Sequence, residues 1–295
     1  MGVEDRHAID VAVAIARDHG LRITEPVVLR DRLNVLVHLA PAPVVARVAG
    51  LIAHVRPGAE WLRRELAVAT HLARAGAPVV APSAELPPGP HEREGRVVTF
   101  WTHVPATGEP ADPRAAGAAL GDCHAALRDF HGSLPLLGGI TEAEAMLTTL
   151  AADEQLDALA AARALERIED TRAVLGSLRA PVQPLHGDAH LGNVLNGPGG
   201  PLWNDWEDTC LGPVGWDAAC LMASSRVTGE GAERAEAALA ASGIRLDAGE
   251  LDLWVEARVL QVAIWMAFMA PLRPERRHEP WLQALTATNS PSTRS

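Results

Sequence analysis

From residue 186 the chain reads HGDAHLGNV, and a second cluster, NDWED, follows at 204–208. Histidines, aspartates and asparagines packed this closely among apolar residues need a chemical reason, because polar groups are costly to bury unless they are satisfied. Two chemistries fit the residue types. His186, Asp188 and His190 could hold a zinc ion and activate water, and a metallohydrolase of that kind would keep its zinc through purification and dialysis. Asp188, Asn193 and Asp205 could instead offer hard oxygens to Mg2+ and orient a hydroxyl, which is what phosphoryl transfer requires.

Spacing favours the second chemistry. The run Gly197-Pro198-Gly199-Gly200-Pro201 is a strong turn signal between two short strand-like pieces. A hairpin symmetric about it sets Asn196 opposite Leu202 and Asn193 opposite Asp205, and opposed residues share a face with Cβ atoms about 5 Å apart. An amide oxygen beside a carboxylate suits Mg2+, which takes few protein ligands and leaves room for water and phosphate. Asp188 lies on the loop entering the hairpin. An aspartate of ordinary pKa is a weak base toward an alcohol, so Asp188 orients the acceptor hydroxyl and takes its proton late.

The elements that must position these groups fall into two kinds. Short β-branched runs at 26–30, 34–40 and 43–50 suggest a small antiparallel sheet. Residues 57–76 carry Leu62, Leu66, Ala69 and Leu72 on one face and end in Gly76, the pattern of a helix. Further strands are expected near 79–86 and 96–101, separated by the turn-rich PPGPHEREG. A linker at 103–113 leads to helical spacing at 114–131, 141–178, 214–226, 230–242 and 247–271. Trp203, Trp206 and Trp216 read as core residues, and the tail from 286 as frayed.

HGDAHLGNVL (186–195) and LWNDWEDTCLGPVGWDAACL (202–221) together resemble the aminoglycoside phosphotransferase family, a protein-kinase-like group that also includes choline, homoserine and other small-molecule kinases. The resemblance covers nearly the whole chain. It implies an α+β, two-lobed protein-kinase-like fold, with a small antiparallel-sheet N-lobe over 1–104 and a mainly helical C-lobe over 105–295. It implies a catalytic role for Asp188, metal binding by Asn193 and Asp205, and Asp217 as a brace for a catalytic loop that His186 and His190 help to shape. In the family a basic residue on the third strand grips the nucleotide phosphates and pairs with a helix glutamate; here Arg47 and Glu65 take those places. The segment 97–104 resembles the hinge whose backbone meets the adenine edge, which points to Trp101, Thr102, His103 and Val104. The loop 30–34, RDRLN, lacks the glycine or serine with which kinases cover the phosphates.

The implied activity is Mg2+-dependent transfer from ATP or GTP to a hydroxyl of a small molecule. A cationic antibiotic is the first reading of the acceptor, because Glu207 and Asp208 adjoin the site and Glu142, Glu144, Glu256, Glu275 and Glu279 sit on segments that could frame it. Choline, homoserine or a sugar is the alternative, and a non-catalytic nucleotide-binding relative is another.

Composition sets outer bounds. The formal net charge is −11, which excludes a phosphate-tracking nucleic-acid partner. All 26 basic residues are arginine, so any cationic grip must be a guanidinium. The longest apolar run, 259–272, is too short to span a membrane, and no signal peptide opens the chain. Cys123, Cys210 and Cys220 have no metal-type spacing. A cytoplasmic protein without a membrane partner is the expectation.

Overall fold

The computed structural model describes residues 3–31, 33–50, 53, 56, 58–153, 158–177, 180–271 and 279–286. It begins with a helix the sequence reading did not anticipate, α1 (Val3–Asp18). Ala8, Val11, Ala12 and Ile15 recur at helical spacing and are buried against Val37, Leu39 and Phe100 of the sheet behind them. Strands β1 (Ile23–Asp31), β2 (Asn34–Pro41) and β3 (Val44–Ala49) form the meander expected from their β-branched runs. The sheet is completed by β4 (His91–Arg93) and β5 (Arg96–Thr102), in the antiparallel order β1-β2-β3-β5-β4. β4 lies inside the stretch expected to be turn only. Its hairpin closes through Glu94 and Gly95, both at positive φ, which matches the twist of the flanking strands.

No strand forms at 79–86. Val79 makes a single parallel bridge to Trp203 and Pro82 a single antiparallel bridge to Trp101. Pro78, Pro82, Pro87 and Pro88 each lack the N–H that a ladder requires. Helix α2 (Glu60–Arg74) buries Leu62, Leu66, Ala69 and Leu72 as their spacing demanded, and also Glu65, whose burial needs a partner.

The rest is mainly helical. α3 (Pro113–Leu127) starts at Asp112, whose side chain caps Ala115 N–H at 2.8 Å. The continuous helical spacing at 141–178 is two helices, α4 (Gly138–Ala152) and α5 (Ala158–Ser177), with 154–157 outside the described residues. After the motif region come α6 (Gly215–Thr228), α7 (Ala232–Ala241), α8 (Ala248–Met269) and α9 (Glu279–Thr286). One apolar core runs through these helices and takes in Trp203, Trp206 and Trp216. No helix among the described residues is long and apolar enough to cross a membrane. Residues 287–295 and Glu275 lie outside the described part.

The motif region is framed by two small ladders. β6 (Gln183–Leu185) pairs with β9 (Cys210–Gly212), so both ends of the region are pinned together. Inside it, β7 (Val194–Gly197) and β8 (Gly200–Trp203) form the hairpin, but not in the expected register. Asn196 faces Pro201 and Leu195 faces Leu202, because the turn is the two-residue Pro198-Gly199 rather than one centred on Gly199. Asn193 and Asp205 are therefore not cross-strand partners. Asn193 closes a one-turn 3-10 helix before β7, and Asp205 stands just past β8.

Candidate active site

The loop from His186 to Asn193 is held from below by Asp217, in the first turn of α6. Its Oδ2 accepts His186 N–H at 2.9 Å and its Oδ1 accepts Gly187 N–H at 2.9 Å. His124 Nε2 of α3 lies 2.8 Å from Oδ2. Burial alone would raise the Asp217 pKa, but the His124 contact and the backbone N–H groups outweigh it and hold the carboxyl below the usual carboxylate range. Gly187 has φ +86, and a Cβ there would lie 1.9 Å from Asp208 O, so only glycine lets the loop pass this close to the following segment.

Replacing Asp217 with Ala leaves two buried N–H groups and His124 without an acceptor. The expected cost is about 3–5 kcal/mol of folding stability by denaturant titration. Because the native pKa is depressed, this contribution is present above the unfolded carboxyl pKa and lost as pH falls through the native one. The wild type should lose stability on acidification more steeply than Asp217→Asn does. Equal stability of Asp217→Ala and wild type would show that the carboxylate does not hold the loop.

His186 is fully buried, with its ring against Trp203 and Trp206. Asp188 N–H points at its Nδ1 (3.3 Å), so the proton sits on Nε2, which donates to Asn204 O at 3.1 Å. Burial lowers the ring's pKa. Both ring nitrogens are occupied, so the zinc site imagined on His186, Asp188 and His190 has no free ligand there. Among the described residues no group of three or more His, Cys, Asp or Glu side chains is placed to hold a metal unaided.

Asp188 meets partners on both carboxylate oxygens. Oδ1 is ion-paired with Arg258 of α8, while Oδ2 takes Asn193 Nδ2 at 3.2 Å and faces His190 Nε2 at 3.4 Å. Burial would raise its pKa, but His190 and Arg258 hold it well below the carboxylate range. His190, whose Nδ1 accepts Gly192 N–H at 3.0 Å, is raised in turn: burial opposes the charge and the Asp188 carboxylate outweighs it.

Arg47 stands in mid-β3, opposite Leu36 and Thr99. Its Nη1 contacts Glu65 Oε1 at 2.5 Å, and its Nη2 reaches Glu207 Oε2 and lies 3.2 Å from Asp205 Oδ1. One guanidinium thus joins the sheet, α2 and the segment after β8. Burial works against its charge, yet these carboxylates outweigh that and raise its pKa. The same guanidinium cannot neutralise them all. Burial pushes Glu65 up to about 7 and Glu207 up to about 8, despite the attraction of Arg47.

Sequence reasoning missed two cations. Arg56 grips Glu142 of α4 through two contacts of 2.7 Å, Glu207 at 3.1 Å and Asp208 at 2.5 Å. The other is Arg258, which reaches Asp188 from α8. Nothing local marks Arg56, but Arg258 is the one basic residue in α8, a largely apolar helix, and that signal was there to be read. Glu207, Asp208 and Glu142 are therefore paired internally, and Glu144 is paired with Arg172 at 2.6 Å.

At the expected hinge, Trp101 is buried, Thr102 N–H donates to Ala81 O (2.9 Å) and His103 N–H to Pro43 O (2.8 Å). The His103 ring stacks on His38 with centroids 3.7 Å apart. Val104 packs against Gly197 and is the first position beyond β5 whose amide no described residue takes up. In the 30–34 loop, Arg30 ends on β1 and Arg32 lies outside the described residues.

Mg2+ fits what is here. Asp205 sits in the left-handed region (φ 68, ψ 58), an uncommon conformation for a non-glycine residue. Its Oδ1 is buried, and its ion-pair contact among the described residues is Arg47 Nη2 at 3.2 Å. Asn193 spends its Nδ2 on Asp188, which leaves its Oδ1 as a second hard oxygen.

The Phosphotransferase enzyme family (APH) model matches residues 22–258, well over half of the chain. Curated protein sequences give no match. Among solved structures, an amicoumacin kinase in complex with AMP-PNP, Ca2+ and Ami is 13% identical, with TM-score 0.68 over 97% of this chain and 96% of that one. A choline/ethanolamine kinase family protein from Mesorhizobium loti is 16% identical, with TM-score 0.66 over 95% and 92%. Spectinomycin phosphotransferase, solved with ADP and spectinomycin, is 14% identical, with TM-score 0.59 over 94% and 92%. At these identities the likenesses speak for the protein-kinase-like fold, and with the sheet, the helical remainder and the family match they lead to one conclusion: this chain belongs to the phosphotransferase enzyme family.

Proposed function

We propose that this protein transfers the γ-phosphate of ATP or GTP, with Mg2+, to a hydroxyl of a small molecule, with Asp188 as the group that receives the hydroxyl proton. The observation that carries this is the Arg47 knot. A guanidinium on the sheet is tied to Glu65 and set 3.2 Å from Asp205 Oδ1, and Asn204 beside Asp205 is bonded to Asn193, which in turn holds Asp188. Asp205 and Asn193 would hold the metal, which when bound supplies the charge that offsets the phosphate oxygens. Arg47 would hold the phosphates from the opposite side as a bidentate donor, with Glu65 fixing its direction. Val104 offers its backbone to the base. Asp188, ionised and anchored, orients the acceptor hydroxyl in line and accepts its proton as the bond to phosphorus forms. The complete set Asp188, Asn193 and Asp205 speaks against a non-catalytic binding role.

For the acceptor, a cationic antibiotic is the first candidate, supported by Glu207 and Asp208, the acids that follow Asp205 in the chain. Relatives in fold act on amicoumacin and spectinomycin in one group and are of the choline/ethanolamine type in another. One observation favours an acceptor without a cationic group, such as a sugar, instead: Arg56 already spans Glu142, Glu207 and Asp208. An ammonium group would have to displace a guanidinium to use them. A coupled ADP assay over antibiotics and metabolite alcohols tests the reading, and ADP release no faster with any of them than with water would overturn it. For a cationic acceptor, KM should rise steeply between about 0.1 M and about 1 M salt, where the Debye length falls from about 10 to about 3 Å. The nucleotide KM should change less. A salt-insensitive acceptor KM selects a neutral acceptor such as a sugar.

A further inference from the structure

We propose that Arg258 is a positioning residue for phosphoryl transfer: it fixes the rotation of the Asp188 carboxylate so that Oδ2 alone is presented to the acceptor hydroxyl. This rests on the reading of Asp188 given above. The last torsion of an aspartate is broad and nearly two-fold, so a carboxylate held at one oxygen only is free to swing. Here the two oxygens are divided. Arg258 Nη2 takes Oδ1, and Oδ2 is left facing Asn193 Nδ2 at 3.2 Å and His190 Nε2 at 3.4 Å.

The arginine is itself held. Its Nη1 donates to Gln261 Oε1 at 2.6 Å, one helical turn along α8. Its guanidinium carbon lies 5.7 Å from the centroid of the Trp216 ring, and Trp216 Nε1 donates to Gly187 O at 2.9 Å. Arg258, its support and the loop it serves thus form one closed set of contacts.

As a stability device the arrangement is poor. Arg258 is 8% exposed, in a helix whose neighbouring Ala257, Leu260 and Ile264 are buried and apolar. A buried ion pair often contributes no more than a well-packed apolar pair of the same volume, because both charges lose their hydration. What an apolar residue at 258 could not do is hold a carboxylate in one orientation. Charge-assisted contacts of this kind are strong and directional.

The test uses the full chain with MgATP as donor, reading ADP release with water and with whichever alcohol of the panel turns over. Arg258→Ala should lower kcat about a hundredfold, the scale of a misoriented reacting group, with the nucleotide KM within about threefold of wild type. Free guanidinium ion should restore part of the lost rate in Arg258→Ala and none in wild type, a response that a merely structural role does not give. Arg258→Lys should fall between, since an ammonium cannot hold both Asp188 and Gln261. If Arg258→Ala does not fold, Gln261→Leu keeps the test open, with kcat lowered several-fold at constant nucleotide KM. A kcat within threefold of wild type in folded Arg258→Ala or in Gln261→Leu, a loss confined to nucleotide KM, or no rescue by guanidinium would each overturn the proposal. Asp188→Asn, run in parallel, separates the two readings: an active Asp188→Asn removes the role given to Asp188, whereas an inactive one beside an unimpaired Arg258→Ala removes only the role given to Arg258.

Discussion

Asp188→Asn is expected to lower kcat by about 10²- to 10⁴-fold, the usual contribution of a positioned proton acceptor, while the nucleotide KM stays near wild type. The substitution keeps the shape of the side chain, so Asn193 and the loop around it retain their places. What disappears is the carboxylate charge, which Arg258 anchors at one oxygen and the amide of Asn193 meets at the other. Folding stability should fall as well, because Arg258 is left buried beside an uncharged amide. Asp205→Ala should differ in kind, weakening Mg-nucleotide binding itself. Steady-state kinetics with varied MgATP separates the two. Comparable turnover by Asp188→Asn and wild type would end the assignment of Asp188.

Arg47→Ala is expected to raise the nucleotide KM roughly ten- to a hundredfold, corresponding to about 1.5–3 kcal/mol for a charge-assisted contact to phosphate. Glu65→Ala should raise it less, since Glu65 acts by aiming Arg47. The geometry adds a second effect. Arg47 is the shared partner of Glu65 and Glu207, both buried, and its loss leaves Glu65 without its ion-pair partner and Glu207 with Arg56 alone. A stability loss of about 3–5 kcal/mol is expected beside the kinetic one. Arg47→Lys keeps one charge but not the fork, and should recover stability better than affinity. An unchanged nucleotide KM in folded Arg47→Ala would mean that another arginine, Arg30 or Arg32, holds the phosphates.

Local pattern made much of the fold legible. β-branched runs gave the sheet strands, and helical spacing gave α2, α3 and α8, with Gly76 marking the end of α2. Where it failed, a specific competitor won. Proline removed the donors a strand at 79–86 needed, and a two-residue turn shifted the hairpin by one position. That slip would have been fatal to a site built on cross-strand pairing. It was not, because Asn193 and Asp205 stand outside the ladder, one closing a 3-10 turn and the other in a left-handed conformation. Their types and order were readable in the chain; their geometry was not. The residues that escaped, Arg56 and Arg258, reach the site from distant segments, and only the folded chain brings a guanidinium to an acid 70 positions away.

The aromatic packing around the loop has an optical consequence. The chain has 8 tryptophans and no tyrosine, so its near-ultraviolet emission comes from indole alone. Trp203 and Trp206 enclose the His186 ring, with centroids 5.3 Å and 4.4 Å away, and Trp216 lies 5.7 Å from the Arg258 guanidinium. Three fluorophores therefore surround the loop that carries Asp188. Any ligand that draws Asp205 or Asp188 away from its arginine alters the field at those rings. The protein carries its own label, and titration of metal or nucleotide can be followed in the spectrometer without attaching a dye.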